Sequence, residues 1–150
     1  MADSVRKKIF DNVKTVLESI TVANGYDFNM GEVSNVPKSF SEYAVLPIIQ
    51  FLSISEDMNE DSPVTKTNCK SHLVLQYLAF EHHDLFEQLM SALAMIEKAL
   101  KLDITRGGNA YYTELISNET ILSSETMPYG GLNIGVDIHF RYRIGFPDLL

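Results

Sequence analysis

Cysteine is nearly absent: Cys69 is the only one in 150 residues. An internal disulfide is therefore impossible, and no cysteine-based metal framework can form. Cys69 falls in an alternating run and reads as a small strand residue rather than a nucleophile. Long apolar runs are also missing, and none approaches the ~20 residues of a membrane span. Residues Met1 to Phe10 are polar and mixed in charge, unlike a signal peptide. The expected location is the cytoplasm where the chain is made, with release only on lysis. Basic residues are scarce, 12 against 20 acids, for a net charge of −8. That balance opposes any broad, sequence-specific grip on DNA or RNA, which rests on cations neutralising phosphates.

The chemistry-bearing motifs are missing as well. The sequence holds no G-x-S-x-G elbow, no Walker loop and no G-x-G-x-x-G. Gly107-Gly108-Asn109 follows Thr105-Arg106, but a phosphate cradle needs a helix start just after its glycines. Tyr111-Tyr112-Thr113 reads as strand there, so a plain turn is expected. The histidines are His72, His82, His83 and His139. None has a zinc-type partner four residues away. Adjacent His82 and His83 read as surface residues, and His72 and His139 are placed to meet across neighbouring strands. No catalytic centre, cofactor or metal is expected.

What is present is a globular composition, 45% hydrophobic and 21% charged, at a length suited to one domain, 1–150. Val5, Ile9, Val13, Val16, Leu17 and Ile20 recur at helical spacing behind a cap at Asp3 or Ser4. Asn24-Gly25 is a helix-stop or turn signal. Residues 26–33 suggest a short strand with a turn or bulge at Gly31, and Pro47 delays the next strand to near Ile48. Glu56 to Ser62 (EDMNEDS) reads as a mobile acidic hairpin loop. It lacks the glycine and terminal glutamate of a calcium loop. Residues 64–80 alternate as one long strand whose first half is polar on both faces, the pattern of a projecting arm. A second helix follows, with an Asp84/Glu87 capping box expected. Its stripe is Leu85, Leu89, Leu93, Ile96 and Leu100, with Phe86, Met90 and Ala92 beside it.

The chain closes with a hairpin of residues 111–122 and 132–144. In the second strand Leu132, Ile134, Val136, Ile138, Phe140, Tyr142 and Ile144 face one way. Asn133, Gly135, Asp137, His139, Arg141 and Arg143 face the other. The expected fold is α+β: a mixed, largely antiparallel sheet packed against two helices, with an extended hairpin or arm. The expected subunit contacts are unlike charges. His139, Arg141 and Arg143, with Lys66 and Lys70 on the arm, would meet Glu56, Asp57, Glu60 and Asp61 of a neighbouring copy. The apolar tail from Phe146 to Leu150 is either frayed or docked on a partner.

The run Ile20-Thr21-Val22-Ala23-Asn24-Gly25-Tyr26, leading toward Gly31-Glu32-Val33, resembles the start of bacteriophage tail terminator (tail-completion) proteins of long-tailed phages. The final strand Val136-Asp137-Ile138-His139-Phe140-Arg141-Tyr142-Arg143, with Pro147 just after, resembles their end, and the likeness follows the whole chain in order and length. It implies a structural virion protein without catalytic residues. Such a protein forms a six-membered ring on the tail tube, stops addition of tube protein and offers a docking surface to the head connector, in the neck of the virion. DNA would pass through the ring without being gripped. A head-completion or connector ring protein is the nearest alternative. A small enzyme or ligand-binding domain would instead show a deep pocket with convergent polar groups.

Overall fold

The computed structural model describes residues 2–43, 45–60, 65–80, 84–122 and 129–150. Its elements are α1 (Val5–Glu18), β1 (Glu32–Ser34), β2 (Ile48–Glu60), β3 (Lys66–Phe80), α2 (Leu85–Lys101), β4 (Tyr112–Leu122) and β5 (Tyr129–Arg143). The five strands form one sheet in the order β1-β2-β3-β5-β4. Only β1 and β2 run parallel; every other pairing is antiparallel. This is the mixed α+β architecture that the alternation and the helical periodicities predict.

Both helices cover one face of the sheet. Along α1, Val5, Ile9, Val13 and Leu17 are fully buried, one per turn. Ser4 caps the helix by accepting a hydrogen bond from Lys7 N at 3.1 Å. Along α2 the buried residues are Leu89, Ala92, Ile96, Ala99 and Leu100. The stripe is thus rotated from the leucine line: Leu85 and Leu93 are half-buried and Phe86 is exposed. Small Ala92 and Ala99 let the helix lie close against its neighbours. The opposing strand residues are Leu73, Leu75, Tyr77 and Ala79 from β3, with Leu132, Ile134, Val136, Ile138 and Phe140 from β5. Alternation along both strands places all nine on the helix side.

Four local expectations are corrected. Residues 26–31 are not strand. Thr21 caps a 3-10 turn at Val22–Asn24, Gly25 takes φ 86°, and Asn29 Oδ1 accepts from Val22 N. The segment thus satisfies its backbone locally rather than in the sheet. Gly31 passes so close to the Pro47 carbonyl that an added Cβ would sit 2.8 Å from it. Second, Asp84 does not cap α2. It adopts φ 53° with no side-chain cap hydrogen bond; a capping residue ordinarily has extended backbone, and Asp84 is left-handed.

Third, residues 56–60 of the acidic run are strand and not a loop. Glu56 pairs with Ser71, Asp57 with Lys70 and Glu60 with Thr67 in an extended β2–β3 hairpin. Cross-strand partners that are neutral or basic make the acids tolerable there. Asp61 and Ser62 lie outside the described residues. Fourth, the polar half of β3 is no free arm. β5 runs beside it from Lys66↔Arg143 to Phe80↔Tyr129, so its backbone is bonded on both sides. The tail also turns back onto the chain: Val5 N donates to Pro147 O at 2.7 Å and Arg143 N to Leu149 O at 2.9 Å. No helix among the described residues is long and apolar enough to cross a membrane.

Candidate functional site

The sheet face away from the helices carries the polar residues of β2, β3, β5 and β4, and it divides into two parts. Near β1 a row of amides crosses the strands. Gln50 Oε1 accepts from Tyr43 Oη and from Lys38 N, Gln50 Nε2 donates to Gln76 Oε1, and Gln76 Nε2 donates to Asn133 Oδ1. The Lys38–Tyr43 region covers this part, and Gln50 is buried. Such a connected network specifies register.

The other part is open and charged. Asp137 lies opposite both His72 of β3 and Glu114 of β4; His139, one pleat along, lies opposite Lys70 and Tyr112. His72 Nδ1 is 2.8 Å from Asp137 Oδ1, and His139 Nε2 is 3.5 Å from Glu114 Oε1. Lys70 Nζ stands 3.9 Å from Asp57 Oδ2 and 4.0 Å from Asp137 Oδ2. The rings of Tyr111 and Tyr112 approach the His139 ring at 6.2 and 6.0 Å between centroids. Asp137 is only 7% exposed, although alternation alone marks it as outward.

Beyond His139 the charged residues of β3 and β5 on this face are all cationic. Arg141 lies opposite Asn68, and Arg143 lies opposite Lys66. Both arginines are exposed and Lys66 is half-buried. None of the three forms an ion pair among the described residues. Lys66 and Arg141 line an open groove of about 440 Å³ with Asn109, Tyr111 and Leu150.

The sequence-predicted residues are thus partly assembled. Lys66, Lys70, His139, Arg141 and Arg143 share one face, and Asp57 joins them beside Lys70. Glu60 lies on the opposite side of the hairpin and is exposed. Glu56 also turns to the helix side, where Arg6 Nε reaches its two oxygens at 2.7 and 2.9 Å and Ser71 Oγ donates at 2.7 Å. It is engaged within its own chain. His72 and His139 do not pair with each other; each meets a carboxylate. Glu114 and the burial of Asp137 escaped the sequence reading, because both depend on which strands become neighbours. Asp137-Ile138-His139 did carry a signal, since residues two apart on a strand share a face.

The glycine turn after α2 is a turn and not an anion cradle. Arg106, fully buried, points inward and donates to the carbonyls of Leu100 and Asp103. Gly107 N donates to the Asp103 side chain. Comparison with known proteins returns no matching family model and no significantly similar curated protein.

Proposed function

We propose that this chain is a structural subunit of a phage virion, which closes the end of the tail tube as a ring and presents the surface to which the head connector docks. One observation carries the reading. Lys66, Arg141 and Arg143 form a cationic corner, without an ion pair among the described residues, on a chain of net charge −8. A patch of that sign fits the acidic remainder of a second copy, and contact between unlike surfaces is head-to-tail, the geometry that closes rings. Asp57 and Glu60 are the acids of β2 that a neighbouring copy can reach. The resemblance of the Ile20–Tyr26 run and the final strand to tail terminators adds the biological setting. The uncovered part of the sheet, around Lys70, His139 and Arg141, is polar and open rather than concave and apolar, which suits contact with protein better than capture of a small molecule.

The test is electron microscopy of lysates from the encoding phage with this gene deleted. Overlong tails beside unjoined full heads are the expected result. Tails of normal length with emptied heads would transfer the chain to head completion. Intact infectious particles would reject both roles.

A further inference from the structure

We propose that Glu114, Asp137 and His139 form a binding site for a first-row divalent metal ion of the zinc type. The site lies on the open sheet face, separate from the cationic corner. Asp137 and His139 project from β5 on the same side, about 6.6 Å apart along the strand. Glu114 projects beside them from β4, directly opposite Asp137. One donor atom from each of the three lies within 4.8 Å of the other two. A zinc-like ion bound at about 2.1 Å separates tetrahedral ligand atoms by about 3.4 Å. The His139–Glu114 distance of 3.5 Å already meets that spacing, so small side-chain rotations gather the set.

Charge and packing both favour a cation at this point. Glu114 and Asp137 are like charges directly across a β pair, a destabilising arrangement unless something positive lies between them. Asp137 has only 10% of its side chain exposed, so water screens it poorly. Lys70 is the cation at hand, but it stands 4.0 Å away and is shared with Asp57. A divalent ion would neutralise both carboxylates. The imidazole supplies the nitrogen that selects zinc-type ions over calcium or magnesium.

The surroundings also hold the donors in place. His72 Nδ1 grips Asp137 Oδ1, and Asp137 Oδ2 lies 4.0 Å from Lys70 Nζ. His72 acts as a positioning residue of the kind that supports metal ligands from behind. Tyr111 and Tyr112 flank the His139 ring. With three protein ligands on an open face, solvent or a group from another molecule completes the coordination. A bound ion would fasten the edge strand β4 to β5.

The experiment is titration of the untagged full-length protein with Co²⁺, read by visible absorption, and with Zn²⁺, read by calorimetry. The expected result is saturable binding of about one ion per chain with visible cobalt bands. Glu114→Gln and His139→Ala should each weaken binding tenfold or more, with circular dichroism confirming that both remain folded. His72→Ala should keep the cobalt bands but weaken affinity by roughly 10–100-fold; unchanged affinity would overturn its positioning role. The vicinal His82 and His83 are the control. If the folded wild type shows no saturable binding, the site is overturned. The same holds if His82→Ala with His83→Ala abolishes binding while Glu114→Gln and His139→Ala leave it intact.

Discussion

Glu56 shows how one side chain ties a helix to the sheet. Burial alone would raise its pKa, yet the hydrogen bonds from Arg6 and Ser71 and the charge of Arg6 outweigh burial and hold it below the usual carboxylate range. A carboxylate whose pKa is depressed by folding stabilises the fold above its unfolded value, near pH 4.3. That contribution disappears as the pH falls through the folded pKa. Glu56→Gln is therefore expected to cost about 1.5–3 kcal/mol at neutral pH, the range for a hydrogen bond to a charged group. In urea unfolding at descending pH, the gap between variant and wild type should close below the ordinary carboxylate range. A gap that stays constant across pH would mean that shape, not charge, makes the contact. Cys69 gives a second handle at this scale. It is 3% exposed, and burial pushes its thiol pKa up. The thiol should resist a disulfide reagent in the native protein and react stoichiometrically in denaturant.

At the scale of elements, the two helices start in opposite ways. Ser4 makes its cap hydrogen bond, and Asp84 does not. Ser4→Ala is expected to cost about 1 kcal/mol, the typical loss for a working cap. Asp84→Gly should cost nothing or stabilise slightly, since glycine accepts φ 53° without a Cβ clash. Thermal or urea denaturation of both variants checks the pair, and equal losses would contradict the cap assignment. The strands show how well element types can be read. Residues 132–144 alternate cleanly, and the helix side of β5 follows that alternation from Leu132 to Phe140. Charge in the acidic run does not mark a loop: residues 56–60 are strand. A hairpin accepts charges on a solvated ribbon when the opposite strand offers Ser71, Lys70 and Thr67.

For the whole molecule, association is the property to measure. The cationic corner and the acidic remainder should draw copies together electrostatically. Such contacts weaken as salt shortens the Debye length from roughly 10 Å at 0.1 M to roughly 3 Å at 1 M. Sedimentation at rising salt should thus show dissociation of any ring. Arg141→Glu combined with Arg143→Glu should prevent assembly at low salt while leaving the thermal midpoint nearly unchanged, because both side chains are exposed. Assembly that is indifferent to salt and to these substitutions would remove the charged corner from the interface.

Periodicity determined the two helices, the long strands β3 and β5, and the inward faces of α1 and β5, because burial on one side of an element imposes a spacing of 3.6 or 2 on its apolar residues. Composition likewise fixed the acidic charge and the lack of a disulfide. Strand order was beyond local pattern. Only the β1-β2-β3-β5-β4 arrangement brings Glu114 and His72 to opposite sides of Asp137 and sets Arg143 beside Lys66. Those neighbours are separated by many residues of chain, and their meeting follows from which edges pair once both helices take the same face. The sequence alone decided what each residue offers; the tertiary structure decided which offers meet, since charge, hydrogen bonding and ligation act through space.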